Sequence, residues 1–123
     1  MRPLTVVIPI LPPTVNHMYI TRRDGGKALT AQAQTFRQYA SAEARSTANL
    51  TRWEMPSGAM RLTIALTFGD RRNQDIDNRA KAALDALALA LGFNDARIDE
   101  LIIRRAGYEK NRPLCEMTLE AIQ

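Results

Sequence analysis

The chain is poor in the residues that staple small folds or bind structural metals. It has one cysteine, Cys115, and one histidine, His17. A lone cysteine excludes an intrachain disulfide and fits a reducing compartment. One residue of each kind argues against a structural zinc site. Cys115 lies in a strand pattern, where a thiol is ordinarily buried and inert. No apolar run approaches the roughly 20 residues of a membrane span. Pro9, Pro12 and Pro13 interrupt any signal-like apolar start, so the expectation is a cytoplasmic protein. Internal repeats, low-complexity segments and a second domain are all missing, so residues 1–123 read as one domain. A glycine-rich, phosphate-cradling loop is also missing, which counts against a small nucleotide hydrolase.

What is present is an ordinary apolar fraction, 46%, and an excess of basic residues, with formal charge +4. A basic balance favours anionic partners such as nucleic acid. At this length the core is modest, and dimerisation often adds stability.

Apolar alternation over Leu4, Val6, Ile8 and Ile10 predicts a strand, and Val7 between them predicts cover on both faces. Pro12 and Pro13 stop it. Residues 14–30 carry little periodic signal. Asn16, His17, Tyr19, Arg22, Arg23 and Lys27 surround a turn at Asp24-Gly25-Gly26. Such a segment can follow a phosphate backbone, with Tyr19 stacking on a base, or form a solvated hairpin or mobile loop. His17 reads as a loop histidine rather than a catalytic base. Thr30 can cap a helix from Ala31 to about Leu50, with Ala33, Phe36, Tyr39, Ala40, Ala44 and Ala48 inward. Trp53 reads as a partly buried loop anchor. Ala59 to Phe68 is the clearest strand. A second helix runs from about Asn78 to Leu91, ended by Gly92, with Leu84, Leu87 and Leu91 as its core stripe. Leu101 and Ile103 mark a third strand, and Leu114 to Ala121 a fourth. The order β-α-β-α-β-β predicts an α+β fold, a mixed or antiparallel sheet covered by two main helices.

Between the second strand and second helix lies Asp70-Arg71-Arg72-Asn73-Gln74-Asp75-Ile76-Asp77-Asn78-Arg79-Ala80-Lys81. In an extended loop, residues two apart point the same way, so Asp75 and Asp77 can face one cation. Hard oxygen ligands suit Mg²⁺ or Mn²⁺. The same residues also fit an ion-pair network, and Asp77 fits a helix cap. Lys81 follows Asp77 by one turn. It can act on transition-state charge or form a surface pair with Asp77 or Asp85. Asp95 returns past the helix. A helix of about 14 residues is about 21 Å long, so spacing alone does not bring Asp95 to the pair.

D-x-D-N followed by lysine, then Ala82-Ala83-Leu84-Asp85-Ala86-Leu87, then Gly92-Phe93 and an acid before a strand, resembles the RusA-type Holliday junction resolvases. Pro12-Pro13-Thr14-Val15-Asn16 is similar to that family's P-P-S-x-N element. The resemblance implies a small, Mg²⁺-dependent, homodimeric endodeoxyribonuclease. It implies Asp75, Asp77 and Asp95 as metal ligands, Lys81 as the fourth catalytic residue and Asn78 as a supporting one. DNA contacts are expected from Arg71, Arg72 and Arg79, and from Asn16, Arg22, Arg23 and Lys27. The sequence departs from the family pattern twice. The basic run is diluted to Arg71-Arg72-Asn73-Gln74, and the acidic pair after the helix is Asn94-Asp95. Glu100 and Arg105 match an acidic and a basic position without assigned roles.

The function implied is resolution of four-way DNA junctions by paired symmetric cuts in recombination and repair. A C2 homodimer would supply two sites, whereas a monomer would nick. The competing reading is a non-catalytic branched-DNA-binding protein with a solvated acidic loop.

Overall fold

The computed structural model describes residues 2–122. Its main sheet has four strands, β1 (Leu4–Ile8), β4 (Met60–Phe68), β5 (Ile98–Tyr108) and β6 (Leu114–Ala121), in the order β1-β6-β4-β5. β6 runs antiparallel to both its neighbours, and β4 and β5 are parallel. The sheet is therefore mixed. Its two helices, α1 (Ala31–Thr51) and α2 (Ala80–Leu91), fit the expected α+β class. A short hairpin, β2 (Tyr19–Thr21) with β3 (Lys27–Leu29), stands apart from the main sheet. It realises the hairpin alternative for residues 14–30.

Period-two alternation puts Leu4, Val6 and Ile8 of β1, Leu62, Ile64 and Leu66 of β4, and Cys115, Met117 and Leu119 of β6 in one hydrophobic cluster with both helices. Each fully buried Leu or Ile there contributes about 1.5–3 kcal/mol. Burial pushes the Cys115 thiol up to about 12, which keeps it protonated and inert. The opposite face of the sheet is uncovered, contrary to the expectation from Val7. That side chain is 41% exposed and Ile102 is 44% exposed. Both helices lie on one side, so a single apolar residue on the other strand face signals no second layer.

Thr30 caps α1 as expected, its Oγ1 accepting from the Ala33 N–H at 3.1 Å. Ala33, Phe36, Ala40 and Ala44 are buried, but Tyr39 is 43% exposed rather than in the core. At 100° per residue, Tyr39 falls well off the stripe centred on Phe36, Ala40 and Ala44. α2 differs similarly. Ala83, Ala86, Leu87 and Ala90 face the core, while Leu84 and Leu91 are only partly buried. Alanines on both helices allow close approach, so size ranks the α2 face less than angle does. Gly92 ends α2 in the left-handed conformation, φ 75°, with its N–H donating to the Ala88 carbonyl. Trp53 is a loop anchor, its Nε1–H donating to the Arg2 carbonyl at 3.2 Å. No helix among the described residues is long and apolar enough to cross a membrane.

Candidate active site

β4 and β5 are parallel, so their carboxyl ends lie side by side, Phe68 opposite Tyr108. Chain leaving β4 must turn over that end to enter α2, and crevices at strand carboxyl ends are where such sheets place ligands. Gly69 starts the turn under the β5–β6 connection. A Cβ there would come within 3.0 Å of Pro113 Cδ, so a larger residue would push the turn apart.

Asp70 shapes the next residues. Its Oδ1 accepts from the Arg72 N–H at 3.0 Å, and its Oδ2 accepts from Arg72 Nη2 at 2.9 Å. The Arg72 side chain, then its backbone N–H, hold the Asp70 carboxyl below its usual range. Gln74 adds a further bond, Nε2 donating to Asp70 Oδ1 at 3.2 Å. It also accepts twice: Arg79 Nη2 donates to its Oε1 at 2.6 Å, and Arg105 Nη2 donates to its backbone carbonyl. Both arginines stack over the Phe68 ring, Arg105 at 4.7 Å and Arg79 at 5.8 Å from its centroid. Arg79 Nη1 reaches the Pro12 carbonyl at 2.6 Å, tying the loop to the segment after β1. Burial first, and the charge of Arg72 second, depress the Arg79 pKa.

This scaffold presents Asp75 and Asp77. Both are exposed, and neither has an ion-pair or side-chain hydrogen-bond partner among the described residues. Asp77 does not act as a side-chain cap. It opens a 3-10 turn, Asp77–Arg79, from which α2 continues, and no side-chain bond caps either segment. Asn78 places its Oδ1 in a buried position without a hydrogen-bond partner. Two unpaired carboxylates and an orphaned amide oxygen, close in sequence, are hard oxygen donors of the type that suits Mg²⁺ or Mn²⁺. Among the described residues no group of three or more His, Cys, Asp and Glu side chains could hold a metal.

Asp95 is the residue left apart. It opens the 3-10 turn Asp95–Arg97 beyond α2 and lines a depression with Asp85, Phe93 and Asn94. α2 has 12 residues, about 18 Å at the usual rise, and lies between Asp95 and the pair. Lys81 Nζ pairs with Asp85 Oδ2 at 3.3 Å, not with Asp77. Its side chain remains 59% exposed.

The expected DNA contacts divide into two groups. Arg71, Arg72 and Arg79 ring the loop, Arg71 stacking on Tyr108 at 4.1 Å. Arg22, Arg23 and Lys27 lie exposed at or beside the hairpin turn, Arg22 paired with Asp24 at 3.4 Å. Asn16 is exposed in the 3-10 turn Val15–His17. The residues without assigned roles now have places. Asn94 caps the turn holding Asp95, its Oδ1 accepting from the Ala96 N–H at 2.8 Å. Glu100 pairs with Arg61 away from the site, and Arg105 props the loop. Gln74 and Tyr108 were not foreseen. In sequence Gln74 looks like dilution of a basic run, yet arginine has no acceptor and could not receive the Arg79 donor.

The model of the endodeoxyribonuclease RusA family matches residues 9–120. The chain belongs to the RusA family. A search of curated proteins finds no match. Membership makes this RusA-family chain a DNA-binding nuclease of recombination and implies Holliday junction resolvase activity. The match spans both the Pro12–Asn16 element and the Asp75–Asp95 segment.

Proposed function

We propose that this RusA-family chain is a divalent-metal-dependent endodeoxyribonuclease, a single domain over residues 1–123, that acts as a homodimer and resolves four-way DNA junctions by paired cuts. The observation that carries the reading is the exposed, unpartnered state of Asp75 and Asp77 on a loop clamped by Arg72, Gln74, Arg79 and Arg105. Exposed carboxylates with no protein cation paired to them leave their oxygens free to bind a hard divalent cation.

Asp75 and Asp77 would hold Mg²⁺ or Mn²⁺ with Asp95 of a second chain. β5 supports this arrangement. It is an edge strand of 11 residues whose outer side is unpaired, and Leu101 and Ile102 on it are exposed. Long open edges invite strand pairing. Antiparallel pairing of β5 with its copy about a two-fold axis lays the start of one strand beside the end of the other. The partner's Asp95, just before its β5, is then carried toward the Phe68–Tyr108 end of this chain, where the acid loop lies.

When bound, a hard divalent cation stabilises the negative charge that builds up on a phosphodiester attacked by water. The chain's own residues do the rest. Arg71 and Arg72 offset phosphate charge at the approach to the loop. Lys81, exposed on α2 one turn past Asp77, exchanges Asp85 for the non-bridging oxygens of the reacting phosphate. Branched shape and backbone charge supply selectivity, with the Arg22–Lys27 hairpin gripping an arm.

A non-catalytic junction-binding protein is the second reading, favoured by the presence of only two unpaired acids in the loop of one chain, since Asp70 is held by Arg72. A denaturing-gel assay on a synthetic four-way junction separates the two. Symmetric nicks in opposed strands that require Mg²⁺ support the nuclease. Tight junction binding without any cleavage in Mg²⁺ or Mn²⁺ selects the binding protein.

A further inference from the structure

A second polar cavity, about 370 Å³, opens beside the acid loop, lined by Thr14, His17, Gln32, Arg72, Gln74 and Arg79. Three separate pieces of chain build it. The segment after β1 contributes Thr14 and His17, the first turn of α1 contributes Gln32, and the acid loop contributes the arginines. They are bonded together: Arg79 to the Pro12 carbonyl at 2.6 Å, and Thr30 Oγ1 to the His17 carbonyl at 2.6 Å.

Its lining carries two guanidinium groups and an imidazole, and no carboxylate. Arg79 has no carboxylate within ion-pair distance among the described residues, and its Nε is buried without a hydrogen-bond partner. Arg72 adds a second guanidinium close enough to depress the Arg79 pKa, after burial itself. Asp70, in the adjoining cavity, balances Arg72, so one positive charge is left over. Thr14 Oγ1 holds the His17 ring through Nδ1 at 2.7 Å, leaving the opposite ring nitrogen without a partner among the described residues. Gln32, in the first turn of α1, lines the same cavity.

We propose that this cavity is a phosphodiester pocket, in which His17, Thr14 and Arg79 hold a backbone phosphate of the DNA arm next to the cleavage loop. The proposal rests on the nuclease reading for its ligand but not on catalysis. It gives His17 an anchoring role and an anion to the uncompensated charge of Arg79, whose Nη groups also bond the Pro12 carbonyl and Gln74 Oε1. A phosphate seated there fixes the strand against the same loop that presents Asp75 and Asp77.

The test is fluorescence anisotropy without divalent cation, on a four-way junction and on a linear duplex of the same arm sequence. His17→Ala is expected to weaken binding to both DNAs by about threefold to tenfold. Arg79→Gln is expected to lower the log–log salt slope by about 0.9 per protomer, the value for one lost phosphate contact. Single methylphosphonates along one arm should identify one position where wild type loses affinity and His17→Ala loses nothing more. Unchanged affinity in His17→Ala overturns the pocket, as do losses that add independently at every phosphate position. Arg79 also clamps the loop, so its variant is compared by thermal melting. If Arg79→Gln unfolds, the exposed His17 decides by itself. Duplex binding is read without cleavage, so a chain that fails to cut junctions still reports on the pocket.

Discussion

Gln74 Oε1 accepts from Arg79 Nη2 at 2.6 Å, immediately before the first acid of the loop. An arginine at residue 74 would keep the basic run and lose that acceptor. Gln74→Arg should lower thermal stability by about 1.5–3 kcal/mol, the scale of a hydrogen bond to a charged group. Single-turnover cleavage should fall at least about tenfold as the loop loosens, since small displacements of reacting groups are costly. Gln74→Glu keeps the acceptor for Arg79 but loses the donor to Asp70 Oδ1 and sets two carboxylates together, so it should recover only part of the stability. Equal melting temperatures for wild type and Gln74→Arg would remove Gln74 from the scaffold.

Asp75→Asn should abolish junction cleavage while leaving junction binding equal or tighter. The amide keeps the shape but not the charge that a hard cation requires, and losing an anion reduces repulsion of phosphate. Gel-shift affinity and cleavage measured on the same junction check both halves. Wild-type cleavage by the variant would take Asp75 out of the site.

Mixing two inactive variants tests whether sites are shared between chains. If Asp95 acts across the dimer, a heterodimer of Asp75→Asn with Asp95→Asn contains one doubly altered site and one intact site. Nicking should return to about one quarter of wild type after subunit exchange in an equal mixture, because half the dimers are mixed and each has one working site. No recovery, with exchange shown by mass spectrometry, would put Asp95 in the site of its own chain or in none.

Lys81→Ala should slow single-turnover cleavage at least about tenfold at saturating protein, with stability changed by only about 0.3–0.5 kcal/mol. The small stability term is the exposed pair with Asp85. A rate equal to wild type would leave Lys81 as that pair alone.

The elements were legible in the chain because their signals are local. Alternation over Leu62–Phe68, the Thr30 cap, and Gly92 after α2 are each set within a few residues by backbone geometry. The acid loop was legible too, since Asp75 and Asp77 fall between a strand that must end and a helix that must begin. The α2 core face was only partly legible. In the sequence the leucines mark it, yet close packing between two alanine-rich helices buries Ala83, Ala86 and Ala90 beside Leu87.

Long-range register decided the rest. β6 inserts between β1 and β4, a pairing that no local pattern encodes, and this leaves β5 as an open edge. The parallel β4–β5 pair sets Arg105 and Tyr108 beside the loop, although they lie some thirty residues further along the chain. The same geometry separates Asp95 from Asp75 and Asp77, because a straight helix moves its two ends apart whatever chemistry they carry. Composition could announce the acids and the arginines. Which arginine braces the loop, which carboxylates stay unpaired, and which acid stands alone follow from distances that only the folded chain possesses.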